Sequence, residues 1–256
     1  MNDFVSHLLP VFLLPGNMTF IALVTFILMS TSWRFATLRA INLALFVMIF
    51  NSFLKGIWQV PLPDSIASNG WAFPSGHMHF AAAYWISLAH SSPKRWPLYF
   101  AISALACLGF ALYYAGYHYF SDLPAAVILG AAEAIIFSYI FTSARRSILP
   151  SITLIPICAL LIACDPKNFT YLYYCFGGIC IMPFIFARLD QIETTLARYS
   201  FDLAFCTALF LISAFETFQL TTHEHSRFTA FVLASLLGLL TGYLLTITTQ
   251  APRESQ

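Results

Sequence analysis

The feature that most constrains this chain is a series of apolar runs long enough to cross a lipid bilayer, which takes about 20 residues of α-helix. Of the 256 residues, 59% are hydrophobic and only 9% are charged. A soluble domain carries about 25% charged residues, so the outer surface of this chain is not suited to water. The composition therefore predicts an all-α fold, a polytopic bundle of transmembrane helices with membrane lipids as its surroundings.

Nine predicted spans follow one another without a linker that could separate domains, so residues 1–256 are expected to form a single membrane domain. The spans are 11–30, 36–58, 75–92, 97–117, 122–141, 148–164, 169–186, 201–220 and 228–249. The segment 36–142 contains the candidate site residues, and 148–249 adds four further helices. A net charge of +1 without any cluster of basic residues argues against a nucleic-acid partner.

The distribution of basic residues predicts the orientation of the bundle, because cytoplasmic connections are enriched in Lys and Arg. With nine spans, one set of connections contains Arg34, Arg39, Lys94, Arg95, Arg145, Arg146, Arg188, Arg198 and Arg253, and the other contains Lys55, Lys167 and Arg227. The richer set is expected in the cytoplasm, which puts the N-terminus outside. We expect a bacterial cytoplasmic (inner) membrane, with the candidate site facing the periplasm or exterior.

Four ionisable residues are predicted to meet at this non-cytoplasmic face, where isolated polar groups are costly. Lys55 ends the second span, His77 begins the third, and His118 and Asp122 lie between the fourth and fifth. Because His118 and Asp122 are four residues apart, the carboxylate can hold one ring nitrogen and leave the other free to attack. His77 can protonate a leaving oxygen near neutral pH.

The same region offers groups that would bind a phosphate. Ser75 or Gly76 is predicted to cap the third span, which leaves N–H groups and the positive end of the helix dipole facing outward. Lys55 supplies a cation for the same anion. The sequence shows no obvious metal-binding cluster and implies no cofactor.

Taken singly, each of these residues has a structural interpretation. A lone histidine at a membrane interface is usually solvated, a lysine there anchors a helix, and Ser75 or Asp122 would be an ordinary cap. His79 is expected to pack or to line the site. Glu133 and Glu216 lie inside spans, where an interhelical hydrogen bond is expected. The combination of two histidines in two ordered motifs, with a lysine upstream, favours chemistry.

These residues resemble the type 2 phosphatidic acid phosphatase superfamily, whose site consists of three separated motifs. The first motif is matched by Lys55 and Pro63, and the second, Pro-Ser-Gly-His, is matched completely at residues 74–77. The third is matched by His118 and Asp122. The resemblance covers residues 55–130, about a third of the chain. The nine-span layout is also similar to the glucose-6-phosphatase branch, in architecture only.

The resemblance implies an order of events and a role for each residue. His118 would attack phosphorus to form a phosphohistidine, Asp122 would orient His118, and His77 would protonate the leaving alkoxide and then activate water. The groups that would bind the phosphate oxygens are Lys55, Ser75 and the Gly76 N–H. No metal is required in this family. The expected substrate is a lipid phosphate or diphosphate, and the expected enzyme a phosphoric ester or diphosphate hydrolase of phospholipid metabolism.

The chain departs from the family pattern at both arginine positions, which are occupied by Leu62 and Leu112. Guanidinium contacts to a transferring phosphoryl group are worth about three to five powers of ten in rate. Either another cation replaces them, for which Arg227 in the outer loop between spans eight and nine is a candidate, or the protein is a pseudophosphatase that binds or passes phospholipid or polyprenyl phosphate. An ion-coupled transporter is disfavoured, because only Glu133 and Glu216 approach the membrane midplane. The oligomeric state stays open.

Overall fold

The computed structural model describes residues 3–29, 31–64, 66, 70–143, 145–165 and 170–189, and within these ranges all regular structure is helical. The helices are α1 (Asp3–Leu13), α2 (Met18–Met29), α3 (Arg34–Trp58), α4 (Gly76–His90), α5 (Trp96–Tyr114), α6 (Asp122–Ile140), α7 (Ile148–Ala163) and α8 (Thr170–Leu189). Short 3-10 turns cover Leu14–Gly16 and Arg145–Ser147. The predicted all-α class is confirmed for the described part of the chain.

Predicted spans two to seven correspond to α3–α8, with ends that agree within three residues. Among the described residues, four helical stretches are long and apolar enough to cross a membrane: α3, α5, α6 and Arg145–Ala163. The N-terminal helix pair is a fifth if it counts as one span. This fits an integral membrane protein. The count of nine is not confirmed, because α4 has only 15 residues and spans 201–220 and 228–249 lie outside the described residues. The orientation of the N-terminus stays a prediction.

The first span, predicted over residues 11–30, is interrupted by a break. The helices on its two sides, α1 and α2, meet at an angle of 58°. The break follows from Pro15 and Gly16, which interrupt the helical hydrogen-bond ladder, and from Asn17. The Asn17 side-chain oxygen accepts the Phe20 N–H at 3.1 Å, which caps a new helix at this point.

The central helix of the described bundle is α4, which lies against α3, α5 and α6. Its closest neighbour is α6, because a glycine of α6 faces small residues of α4. A Cβ added at Gly130 would lie 2.9 Å from the Ala82 Cβ and from the Ala83 backbone nitrogen. Only glycine therefore permits this approach, which brings polar side chains of the two helices within hydrogen-bond distance.

A buried arginine joins three helices at the end of α4 that is remote from Gly76. Arg39 of α3 donates to the Phe141 carbonyl at the end of α6 and to the Ser91 hydroxyl at the end of α4. Two of the three guanidinium nitrogens, Nη1 and Nη2, make these contacts within the buried side chain. The three helices are thus fixed together at this end, and their other ends surround the candidate site.

Candidate active site

The start of α4 presents backbone and side-chain groups suited to an anion. Ser75 is the N-cap residue, and its carbonyl accepts the His79 N–H at 2.9 Å. The Ser75 hydroxyl makes no capping hydrogen bond; it is buried and has no partner among the described residues. The first N–H groups of an α-helix lack intrahelical acceptors and carry its positive partial charge. An anion at residues 75–77 would therefore be stabilised by groups already in place.

The position of His118 is set by the way α5 ends. Gly116 has a φ of 71°, in the left-handed region that favours glycine. The Tyr117 N–H donates to the Leu112 carbonyl at 3.0 Å, and the Gly116 N–H donates to the Tyr113 carbonyl at the same distance. This pair of bonds is the Schellman arrangement, which ends a helix and turns the chain away from its axis. His118 follows directly and is thereby brought back towards the start of α4.

Asp122, the first residue of α6, connects the two histidine motifs. Its carboxylate accepts the Tyr119 N–H at 3.0 Å, and its carbonyl accepts the Ser75 N–H at 3.4 Å. The same carboxylate lies 3.4 Å from the Nδ1 of His118, which is longer than a normal N–H···O bond. The His118 Nδ1 has no hydrogen-bond partner among the described residues. Asp122 therefore faces this nitrogen at a distance that a small movement would shorten to a hydrogen bond.

Lys55 lies in the last turn of α3 and is held by the connection that follows. Its Nζ donates to the Trp71 carbonyl at 2.8 Å. The connection folds back on itself, because the Ala72 N–H donates to the Val60 carbonyl at 2.8 Å and Pro61 pairs with Trp71. The returning chain thus fixes the ammonium group at the start of α4.

These elements enclose a cavity of about 570 Å³. The described residues that line it are Gly16, Asn17, Met18, Thr19, Met48, Asn51, Lys55, Leu62, Gly70, Trp71, Gly76, His77, Phe80, His118 and Tyr171. Among them, Lys55 is the one lysine or arginine. The cavity therefore combines two histidines and a cation with an apolar wall.

The electrostatics of the cavity keep His118 neutral. Burial, and after it the charge of Lys55, lowers the pKa of His118 from 6.5 to about 4, although Asp122 opposes the shift. At pH 7 the ring is therefore uncharged, so one ring nitrogen has a free electron pair. A neutral imidazole beside a cation is the state that a nucleophile requires when its target is a bound anion.

The structure brings Lys55, Gly76, His77 and His118 together at the cavity, as the sequence predicted. Ser75 and Asp122 are adjacent to these residues in the chain or in space but are not among those that line the cavity. The residues at the two arginine positions differ: Leu62 lines the cavity, whereas Leu112 is buried in the apolar core. The candidate cation Arg227 lies outside the described residues. Among the described residues, no group of three or more potential metal ligands is found.

Two predictions for polar residues inside the bundle can also be compared with the structure. The Glu133 carboxylate lies 2.9 Å from the Nε2 of His79, so the expected interhelical hydrogen bond of Glu133 is confirmed. His79 is fully buried and does not line the cavity.

Most residues that line the cavity were not predicted, among them the polar residues Asn51, Asn17 and Tyr171. Asn51 precedes Lys55 by four residues and so lies on the same face of α3, which helical periodicity could have indicated. Asn17 belongs to the break between α1 and α2, and Tyr171 belongs to α8. No motif marks either of these two, because each reaches the cavity through the packing of distant helices.

The fold and the site together define an apolar, all-helical protein with two histidines and a lysine at one cavity. The family model described as the PAP2 superfamily matches residues 36–146, which is consistent with a member of that superfamily, as the motifs predicted. Comparison with curated proteins and with solved structures gave no match. The PAP2 superfamily generally comprises phosphatases, which supports a phosphatase-type activity on phosphate esters.

Proposed function

We propose that this protein is a membrane phosphatase or phosphotransferase that acts on a lipid phosphate or diphosphate at the non-cytoplasmic face through a phosphohistidine intermediate. The observation that carries the proposal is the meeting of Lys55, His77 and His118 at one cavity within the segment that matches the PAP2 superfamily. The order and chemistry of these residues are those required for transfer of a phosphoryl group.

In the first step, the neutral His118 attacks phosphorus, and the bond from phosphorus to the oxygen of the leaving alcohol breaks. His77 donates a proton to that oxygen, so the alcohol leaves without charge. Asp122 stabilises the positive charge that develops on the His118 ring, from which its carboxylate is 3.4 Å distant. Lys55, the Ser75 hydroxyl and the N–H groups at Gly76 bind the phosphate oxygens.

In the second step, an acceptor hydroxyl attacks the phosphohistidine, and His77 removes its proton. Water as the acceptor yields inorganic phosphate and restores His118, which is hydrolysis. A lipid hydroxyl as the acceptor yields a new phosphate ester, which is transfer. Both reactions use the same groups, so the acceptor decides between them.

The lining of the cavity supports a lipid substrate. Met48, Leu62, Trp71 and Phe80 give it an apolar wall beside the polar residues, and an apolar wall favours an acyl or prenyl chain over water. The polar groups are at helix ends, where the headgroup of a membrane lipid would lie. A soluble phosphate ester would contact the polar groups but not the apolar wall.

Leu62 and Leu112 favour a second candidate function, the binding or passage of phospholipid or polyprenyl phosphate without turnover. Leu62 places an apolar side chain in the cavity at a position where the family pattern has arginine. Leu112 is buried in the apolar core, so the second arginine position contributes no charge to the cavity. A site with one lysine binds a phosphate, but stabilises the transition state less than a site with added guanidinium groups.

Release of inorganic phosphate from a panel of lipid phosphates and diphosphates, measured with the purified full-length protein, tests the proposal. We expect release by the wild-type protein and none by His118→Ala, because no other nucleophile would form the intermediate. His90→Ala is the matched control, since His90 is exposed at the remote end of α4, and should retain full activity. Phosphate release by His118→Ala at the wild-type rate would contradict the mechanism. Binding of the panel by a wild-type protein that releases no phosphate would favour the second function.

A further inference from the structure

Behind the cavity, a line of buried polar side chains connects three helices. The Asn51 amide nitrogen of α3 lies 3.0 Å from the Nδ1 of His79 in α4. The other nitrogen of His79, Nε2, lies 2.9 Å from the carboxylate of Glu133 in α6. Asn51 and His79 are buried, and the exposed fraction of the Glu133 side chain is 12%. None of the steps in the proposed reaction uses His79 or Glu133.

The order of donors and acceptors in this line is fixed by its carboxylate end. A carboxylate only accepts hydrogen bonds, so His79 carries its proton on Nε2 and presents Nδ1 as an acceptor. Asn51 must then turn its NH₂ group towards His79, where the same group also lies 3.4 Å from the Pro74 carbonyl. As a result, the carbonyl oxygen of the Asn51 amide faces the opposite way.

This oxygen points to the phosphate-binding end of the cavity. The Asn51 Oδ1 and the Lys55 Nζ are 3.3 Å and 4.0 Å from the point that a Cβ on Gly76 would occupy. An acceptor alone at this point would repel a phosphate oxygen. The ammonium of Lys55, which has three hydrogens, is a suitable donor between the Asn51 oxygen and a phosphate oxygen.

We propose that Glu133 and His79 are positioning residues that orient the Asn51 amide, whose carbonyl oxygen holds the Lys55 ammonium at Gly76 with its charge available to a phosphate. The inference rests on the proposed function in that the ligand is a phosphate group. An amide is suited to this task because it orients a cation without neutralising it. A carboxylate at the same position would pair with Lys55 and compete with the substrate.

Binding of inorganic phosphate to the full-length protein in nanodiscs, measured by titration calorimetry, tests this role. Asn51→Asp has nearly the same shape, and we expect it to raise the Kd for phosphate about tenfold, because its carboxylate pairs with Lys55. Asn51→Ala removes the acceptor without adding charge and should raise the Kd by a smaller factor. Asn42→Asp is the matched control: Asn42 is a buried asparagine of α3 that bonds to Ser151, and its replacement should leave the Kd unchanged.

The coupling to α6 is tested by Glu133→Gln. Glutamine preserves size but either donates or accepts, so His79 is no longer confined to one tautomer and Asn51 is free to rotate. We expect about a threefold rise in the Kd for phosphate in the wild-type background and no further rise in the Asn51→Asp background. A purely structural contact would instead weaken binding equally in both backgrounds, which would overturn the inference.

An unchanged Kd in Asn51→Asp and Asn51→Ala overturns the inference as well, and so does a wild-type protein that does not bind inorganic phosphate. The proposed function fails separately. Suppose that the wild-type protein binds phosphate and the variants show the expected changes in Kd, but no lipid substrate releases phosphate. The positioning role then stands and the proposed turnover fails. If the wild-type protein releases phosphate but all variants keep the wild-type Kd, only the positioning role is refuted.

Discussion

At the scale of single residues, the site depends on a histidine that is kept neutral by its surroundings. His118 is buried and is near Lys55, and both effects disfavour the protonated ring. Asp122 opposes them but lies 3.4 Å away. Under the proposed mechanism, the balance gives a nucleophile that does not require deprotonation at neutral pH. The ion pair with Asp122 would then form fully only when phosphorylation makes the ring positive.

This balance predicts a pH profile. Because the pKa of His118 is lowered to about 4, activity towards an activated phosphate ester should persist below pH 6 and decline only as the pH approaches 4, where protonation removes the attacking electron pair. Lys55→Gln removes a charge that lowers this pKa, so its acid limb should move to higher pH. Rates measured from pH 3.5 to 8 would show both effects. A wild-type acid limb near the ordinary histidine pKa of 6.5 would contradict the assignment.

The role of His77 predicts a dependence on the leaving group. If His77 protonates the departing oxygen, His77→Ala should lose most of its activity on an alkyl phosphate and much less on a nitrophenyl phosphate, whose leaving group departs without a proton. A difference of about 10²-fold or more between the two losses is expected, the usual contribution of a general acid. Rates of phosphate release from both esters provide the measurement. Equal losses would indicate that His77 is structural.

Sequence patterns pointed to the residues proposed to react more directly than to the residues proposed to position them. Pro-Ser-Gly-His at residues 74–77 and the spacing of His118 and Asp122 are local, so they are visible in a single sequence. Asn51, by contrast, is an isolated polar residue in an apolar helix. Its importance depends on Glu133, which is 82 residues away along the chain and reaches it through His79. Contacts of this kind follow from helix packing, which no local pattern contains.

At the scale of helices, α6 packs tightly against α4 at Gly130. Gly130→Ala would place a Cβ 2.9–3.0 Å from backbone and Cβ atoms of α4, which do not move independently of their helix. We expect a loss of about 1–3 kcal/mol in stability, the usual cost of overpacking. The separation of the helices should also lengthen the contact of Glu133 with His79. Thermal unfolding of the purified protein measures the loss.

Gly109→Ala in α5 is the matched control. A Cβ at this position would meet only the terminal methyl of Met78, at 3.0 Å, and this flexible end can rotate away. Alanine is favoured over glycine in a helix by about 1 kcal/mol, so the unfolding temperature should stay the same or rise. Equal changes in the two variants would mean that the helices separate easily at Gly130.

The start of α4 was predicted well, because Ser75 and Gly76 are explicit as caps in the sequence. The end of α5 was predicted less well, since the span was expected to run to residue 117 and the helix ends at Tyr114. The N-terminal span was predicted over residues 11–30 without the break that separates α1 from α2. The apolar character of residues 11–29 is continuous, and hydropathy does not register that Pro15, Gly16 and Asn17 together break the ladder and start a new helix. The sequence therefore indicates the bend through its turn-forming residues and not through a change in hydropathy.

At the scale of the whole molecule, the distribution of basic residues predicts which side of the membrane the cavity faces. The exposed residue Lys94 lies between α4 and α5, and the exposed Phe120 lies between α5 and α6. In a background without native cysteines, Phe120→Cys should react with a membrane-impermeant maleimide added outside intact cells. Lys94→Cys should react only after the membrane is opened. The reverse pattern would place the site in the cytoplasm.

The cavity is walled by parts of the chain that lie on both sides of the PAP2 segment. Residues 36–146 provide the two histidines and the lysine, whereas Asn17, Met18 and Thr19 precede that segment and Tyr171 follows it. The reacting groups and part of the enclosing surface thus belong to separate stretches of sequence. Under the proposed function, changes in the outer stretches would alter which molecules the cavity admits and leave the reacting groups as they are.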